Sequence, residues 1–356
     1  MNPGPDPAVR TDAEHEARWW ERDPDGRAHC FLCPRHCRLR EGQVGFCGIR
    51  AHRGGRLVAL TYGRPAAAHV DPIEKKPLFH FLPGSDVFSL GTTGCDLRCV
   101  FCQNWELSRA PAGPLDGPLV PPEAVVERAA ELGCPAIAFT YNEPTIWGEY
   151  VCDVAAAARA RGVATVLVTN GYVTPAAFAD LYADVAAANV DLKAMSEDFY
   201  RRRTRARLEP VLETLRRIRR ETDVWLEITN LVIPTLNDGA DELKRLADWV
   251  VAELGPDVPV HFTAFHPDCE LRDLPRTGPA ALAGARRIAR AAGLRFVYEG
   301  NVAGAGGHTD CPGCGTVLVR RSWHEVLENQ IVEGRCPRCR QAIAGRWESA
   351  WSGEVR

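Results

Sequence analysis

The sequence predicts an α/β protein in which a parallel sheet curls into a partial (β/α)6 barrel of the TIM type, flanked by an N-terminal cysteine-rich module and a C-terminal zinc-ribbon-like module. Three observations lead there. Short apolar runs alternate with helical patterns in a regular beat through the middle of the chain. The 356 residues exceed one ordinary core of about 100–150 residues, yet suit one barrel-sized domain with small appendages. Eleven of the 14 cysteines fall into three tight groups, one near each end and one directly after the first strand of the alternating region. The expected division is an N-terminal extension over 1–84, a core over 85–302 and a C-terminal module over 303–356.

The apolar runs predict strands at 87–90, 136–141, 164–169, 188–192, 224–233, 258–265 and 294–298. Between them lie helical patterns such as PPEAVVERAAELG, EYVCDVAAAARARG and DELKRLADWVVAELG, several opening after Pro or Asp and closing on Gly. Strand, helix, strand, repeated about six times with right-handed crossovers, curls a parallel sheet into a barrel or an open part of one. A complete eight-fold barrel needs more strands than the sequence offers.

Bulk properties exclude some classes. No run of about 18 apolar residues spans a bilayer. The polar opening MNPGPDPAVRTDAEHEARWWERD lacks the apolar stretch of a secretory signal, so the expected compartment is a reducing cytoplasm. There, closely spaced cysteines point to thiolate ligation of metal rather than to disulfides. Cys134, Cys152 and Cys269 stand singly and are expected to be inert core residues. A net charge of −3 gives no global field for nucleic acid. The local cluster Arg201, Arg202, Arg203, Arg205 and Arg207 is expected to be a solvated helix face, with phosphate binding as the other option.

The decisive stretch is GTTGCDLRCVFCQNW, which gives Cys95, Cys99 and Cys102 at Cys-x3-Cys-x2-Cys spacing. Three thiolates on a [4Fe-4S] cubane leave one iron open to a small molecule, whereas a structural zinc site closes with four ligands. Gly91 and Gly94 would let the loop wrap tightly, and Phe101 would shield the metal from water. Near the C-terminus, Cys311/Cys314 and Cys336/Cys339 form two Cys-Pro-x-Cys knuckles with zinc-ribbon spacing, so four thiolates are expected on one Zn²⁺. In CFLCPRHCRLREGQVGFCG, Cys30, Cys33, Cys37 and Cys47 supply four ligands and hence a closed site, either structural zinc or an auxiliary Fe–S cluster passing electrons inward. Glu74, Lys75 and Lys76 in DPIEKKP are expected in a solvated turn.

On these motifs the sequence resembles the radical S-adenosylmethionine (SAM) superfamily over residues 86–302, and more closely the branch that includes the activating enzymes of glycyl-radical proteins. The resemblance implies SAM on the open iron, cleaved reductively to methionine and a 5′-deoxyadenosyl radical that abstracts hydrogen. It places Asn142, Glu143 and Pro144 where the family receives the methionine ammonium, and Thr169, Asn170 and Gly171 beside SAM. Asp191 would accept from the ribose hydroxyls, Lys193 would pair with the methionine carboxylate, Ile233 and Pro234 would form an apolar wall for adenine, and His266 would contact ribose. With CFLCPRHC…GFCGIR, HVDPIEKKPLFHFLPGS, CQNWE and VYEGNV added, the chain is similar to the radical SAM enzymes of the AmmeMemoRadiSam system, older names for which are pyruvate formate-lyase activating-enzyme-like. That likeness implies Memo-type and AMMECR-type partners, and a flavodoxin or ferredoxin as electron donor.

Other readings stand beside these. Asp191 and Lys193, two apart on a strand, can be a buried ion pair. Glu143 can be a carboxylate at a helix N-terminus, and His266 a satisfied loop histidine. A zinc-stabilised binding scaffold would need a fourth ligand beside Cys95, Cys99 and Cys102, for which Asp96 and Asn104 are poor substitutes. An RNA-modifying radical enzyme would use the ribbon and the Arg201–Arg207 cluster as its grip.

Overall fold

Small residues on one sheet face and large ones on the other set the central architecture. In Ala136–Phe139 the larger Ile137 and Phe139 join the apolar cluster that contains the helices, whereas Ala136 and Ala138 join a separate interior cluster with Ala164, Val166 and Ala187. The computed structural model describes residues 14–112, 119–302 and 305–348. The first thirteen residues, on which part of the reading about export rests, lie outside them.

The main sheet has eight strands in sequence order: β1 (Ala67–Pro72), β2 (Asp86–Gly91), β3 (Ala136–Phe139), β4 (Ala164–Thr169), β5 (Ala187–Asp191), β6 (Trp225–Val232), β7 (Val260–Ala264) and β8 (Val297–Gly300). From β2 to β8 every neighbouring pair is parallel; β1 runs antiparallel to β2. Helices α1 (Pro122–Glu131), α2 (Gly148–Ala160), α3 (Pro175–Tyr182), α4 (Glu209–Glu221), α5 (Ala240–Glu253) and α6 (Pro279–Ala291) form the crossovers, giving six strand–helix units. Among the described residues β8 does not pair with β1, so the sheet is open. No helix of the described residues is long and apolar enough to cross a membrane.

All seven expected strands are present, that over 164–169 as expected and the other six with shifted ends. The strand expected over 136–141 stops at Phe139 because Tyr141 takes a left-handed conformation, φ 72°, that no strand continues. β1 went unread because AAHVDP has no continuous apolar run, being broken by His69 and Asp71, and ends in Pro, as suits an edge strand. Residues 67–82, which the expected boundary assigns to the N-terminal extension, therefore pair with the core sheet and pack beneath it.

The base of the sheet is plugged by 73–82. Ile73, Leu78, Phe81 and Leu82 fill the space that the alanines leave. On β6, the buried Glu227 accepts from Phe79 N (3.0 Å), His80 N (2.7 Å), Trp225 Nε1 (3.0 Å) and His261 Nε2 (2.6 Å). His80 in turn contacts Ala344 O through Nδ1 (2.6 Å) and Tyr298 Oη through Nε2 (2.5 Å). Glu74 and Lys76 are 1% and 2% exposed, so the expected solvated turn is corrected to a buried one. Only Lys75 keeps an exposed head, because the turn feeds Glu74 toward Arg321 (3.4 Å) and Lys76 toward Asp71 (2.6 Å). Arg321 also donates to Phe79 O (2.7 Å) and Thr309 Oγ1 (2.9 Å).

Arg321 belongs to the C-terminal module, whose strands β9 (Thr309–Asp310), β10 (Val317–Ser322) and β11 (Glu325–Asn329) form an antiparallel sheet. Removing one partner of a buried pair leaves an uncompensated charge. Arg321→Met is expected to lower the unfolding free energy by about 3–5 kcal/mol in urea titration. Adding Glu74→Gln is expected to recover part of that loss, since the orphaned carboxylate is then removed.

The same base should be acid-labile. Burial lowers His80 from 6.5 to about 4, against the pull of the Glu227 carboxylate. His80 is therefore neutral in the fold while the unfolded chain protonates below 6.5, so its contribution is complete above 6.5 and lost as pH falls toward 4. The expected loss is about 3 kcal/mol, read as a steeper decline of the urea midpoint over that window in the wild type than in His80→Gln.

The N-terminal module consists of two three-stranded antiparallel sheets, formed by His15–Glu16, Arg56–Ala59 and Arg50–Arg53, and by Trp20–Arg22, Ala28–Cys30 and Arg38–Leu39. It is clamped to α2 by a bidentate pair, Arg50 Nη1 and Nη2 to the Glu149 carboxylate at 2.9 and 2.8 Å.

Candidate functional site

In a parallel α/β sheet all the strand C-termini open on one side. Here they surround a cavity of about 310 Å³, within the range of small-molecule sites. The loop after β2 brings Cys95, Cys99 and Cys102 to its wall, with Phe101 beside them.

The loop is held from three sides. Arg98 N and Val100 N donate to the carbonyls of Thr204 and Arg203, both 2.9 Å, in the π-helical turn Tyr200–Thr204. Asn142 donates through Nδ2 to Gly94 O (3.0 Å) and accepts from Thr92 N (3.2 Å). A Cβ on Gly91 would lie 2.8 Å from Thr140 O, and one on Gly94 (φ 83°) would overlap the carbonyl of Cys47. The two glycines thus serve close approach of neighbouring backbones, β3 in one case and the N-terminal module in the other.

Among the described residues, two sets of Cys, His, Asp or Glu bring three or more ligand atoms within 4.8 Å of one another. One is Cys311, Cys314, Cys336 and Cys339, with Sγ···Sγ distances of 3.5 Å (Cys311 to Cys339) and 3.7 Å (Cys314 to Cys336). The other is Glu21, Asp23 and His29 near the surface. Cys95, Cys99 and Cys102 are not drawn within that distance of one another. Burial pushes the Cys95 thiol well up and the Cys99 thiol up to about 12, with Lys193 opposing the shift at Cys99. Thiols so disposed become thiolates when a cationic metal centre sits among them, so the donor set fits an iron–sulfur cluster.

Of the residues expected around SAM, Asn142, Glu143, Thr169, Asn170, Asp191 and Lys193 all line this cavity. Glu143 Oε1 accepts from Thr145 N (2.9 Å) and Thr169 Oγ1 (2.7 Å), and Oε2 from Asn170 N (2.8 Å). It caps the short helix Pro144–Trp147 and ties β3 to β4. Asn170 Nδ2 donates to Asp96 Oδ1 (2.8 Å), and burial, followed by the nearby Glu143 charge, pushes Asp96 up to about 8. Lys193 Nζ lies 2.9 Å from Asp191 Oδ2. Burial alone would lower Lys193, but Asp191 outweighs it and holds the ammonium above its ordinary range.

Three expectations are placed differently. His266 is on the exposed rim, its Nδ1 3.0 Å from Gln103 Nε2, and does not line the cavity. Ile233 and Pro234 do not line it either; Ile233 lies past the end of the strand, fully buried where the chain turns, and the apolar side chain offered by that strand is Leu231. Cys269 is half-buried in a loop at φ 53° instead of in the core, Cys152 is half-buried on α2, and Cys134 is buried. Thr229 and Thr263 line the cavity and went unread, although their inward positions follow from the two-residue period of β6 and β7. Lys75 and Asn301 also line it, brought there by long-range packing that no local pattern signals. Arg201 and Arg202 are exposed and paired with Glu197 (2.8 Å) and Asp198 (2.7 Å) one turn earlier.

Cys30, Cys33, Cys37 and Cys47 line a second, small and enclosed pocket between the N-terminal module and Ile146.

The profile of the Radical SAM superfamily matches residues 89–250. An uncharacterised protein of Methanocaldococcus jannaschii, MJ0808, is 41% identical over 331 residues, covering 92% of this chain and 98% of its own. Among solved structures, a domain of a pyruvate-formate lyase-activating enzyme from Bacteroides vulgatus matches with 18% identity and a TM-score of 0.41, covering 46% of this chain and 98% of that one. SuiB of Streptococcus suis, bound to its precursor peptide SuiA, matches with 16% identity and a TM-score of 0.48, covering 64% and 51%.

Proposed function

The chain belongs to the radical SAM superfamily, and from that premise we propose that Cys95, Cys99 and Cys102 hold a [4Fe-4S] cluster at the mouth of a SAM-binding cavity. The observation that carries the proposal is the meeting of three half-buried thiols with the Asp191–Lys193 pair in one cavity of suitable size. When bound, cluster and SAM supply reductive cleavage of the sulfonium and a 5′-deoxyadenosyl radical for hydrogen abstraction from a protein or small molecule.

The residues divide the work of holding SAM. Lys193 would take the methionine carboxylate, and Asp191, which holds Lys193 at 2.9 Å, would also accept from ribose hydroxyls. Glu143 has three of its four lone-pair sites occupied within the protein, which leaves one on Oε2 for the methionine ammonium. Thr169 and Asn170 keep Glu143 in place, and Asn142 keeps the cysteine loop in register. Leu231 is the apolar contact for adenine, and His266 acts only from the rim.

Anaerobic reconstitution with iron and sulfide, followed by dithionite and SAM, should yield 5′-deoxyadenosine; a reconstituted protein that makes none would sink the proposal. Lys193→Ala removes one charge-assisted bond worth about 1.5–3 kcal/mol. It should therefore weaken SAM binding roughly tenfold to a hundredfold by equilibrium dialysis, without loss of cluster iron.

The flanking motifs CFLCPRHC and CQNWE support the finer reading of an AmmeMemoRadiSam-type radical enzyme, with Memo-type and AMMECR-type partners and a flavodoxin or ferredoxin donor. The C-terminal knuckles are proposed to hold Zn²⁺, since a tetrahedron of thiolates about 2.3 Å from zinc has edges of about 3.8 Å, close to the separations found.

A further inference from the structure

The N-terminal cysteines differ from the C-terminal ones in a way that bears on their metal. All four line one enclosed pocket whose remaining wall is chiefly Leu32, Leu39, Phe46 and Ile146. Yet, unlike the C-terminal four, they are not drawn within 4.8 Å of one another. A single zinc pulls its thiolates closer than that, whereas four irons and four sulfides hold theirs on a much larger tetrahedron.

Two buried cationic donors complete the wall. Arg50, 2% exposed, lines the pocket, and its Nε has no hydrogen-bond partner although both its Nη atoms are committed to Glu149. Arg35 lines it too, with Nη2 buried and unpartnered while Nε donates to Asp96 O (2.8 Å). A buried N–H left unpaired costs free energy, and sulfide or thiolate sulfur in an anionic cluster is an acceptor for it.

The pocket also abuts the radical site. The Cys47 carbonyl touches Gly94, next to Cys95, and Arg98 bridges the two modules by donating to Phe46 O (3.0 Å) and Cys95 O (3.1 Å).

We propose that Cys30, Cys33, Cys37 and Cys47 hold a second [4Fe-4S] cluster, closed by four thiolates, that relays electrons to the cluster on Cys95, Cys99 and Cys102. One electron from a low-potential donor of the flavodoxin or ferredoxin class takes the N-terminal site from the 2+ to the 1+ state. Transfer to the Cys95 site returns the first to 2+ and brings the second to 1+, with no bond or proton moved. The relay rests on the radical SAM reading above; occupancy of the N-terminal site by a cluster does not.

The test uses the full chain, reconstituted anaerobically. The variant Cys95→Ala/Cys99→Ala/Cys102→Ala should retain about four irons and four sulfides, against about eight of each in the wild type, and give an EPR signal with dithionite. Iron-free variant protein carrying a second zinc, or no second metal, would overturn the cluster. Should that variant fail to fold, wild-type protein with about four irons and two zincs overturns it equally. In Cys30→Ser/Cys37→Ser, reduction of the remaining cluster by flavodoxin, followed by EPR, should slow at least tenfold while dithionite still reduces it; an unchanged rate overturns the relay. Failure of the radical reading looks different, since the wild type would then make no deoxyadenosine whatever its N-terminal iron content.

Discussion

Replacing Cys99 with alanine is expected to reduce deoxyadenosine formation by on the order of a thousandfold or more, leaving SAM cleavage at background. Two thiolates cannot hold a cubane that needs three, and Cys99 is the central ligand of the loop, with no other thiol on the cavity wall besides Cys95 and Cys102. The fold should survive, because the loop is also anchored by Arg98 N and Val100 N to the π-helical turn and by Asn142 to Gly94. The check is the product assay beside circular dichroism and zinc content, both expected unchanged. Normal deoxyadenosine yield from this variant would exclude the cluster from that loop.

The second large effect is expected on removing metal from Cys311, Cys314, Cys336 and Cys339. Structural zinc in comparable four-ligand sites contributes roughly 10–16 kcal/mol of apparent binding free energy, more than the small three-stranded sheet around it can supply from its own core. Cys336→Ser, or a strong chelator, should therefore unfold the module. The loss should spread to the main transition, because Thr309, Arg321 and Ala344 all bond into the base of the sheet. A thermal scan should show the principal transition lowered, not a separate minor one removed; an unchanged principal transition would show the module to be energetically independent.

Much of this was legible in the chain. The seven parallel strands and six crossovers follow from periodicity, because each helix buries an apolar stripe and the strands are short, largely apolar runs between them. The cysteine triad is legible from spacing alone, and the residues at the strand ends from their position after each run. The base was not, for a physical reason. Glu74, His80 and Glu227 read as ordinary polar residues, and only partners far away in sequence make them buried. His266 misled because a strand end predicts which rim a residue reaches but not whether its side chain turns inward, and Gln103 holds it outside. Leu231, not Ile233, faces the cavity because the strand ends at Val232 and Ile233 already belongs to the turn that follows.

Glu74 and Arg321 are separated by 247 positions along the chain. At a synthesis rate of about 5–20 residues per second, the carboxylate emerges from a ribosome roughly 10 to 50 s before the guanidinium that neutralises it. During that interval the plug is present but Glu74 within it has no guanidinium beside it, so the carboxylate must stay wet or be shielded. Completion of the last strand pairings is thereby tied to the final stretch of translation, which makes a prematurely terminated chain a poor candidate for a native core.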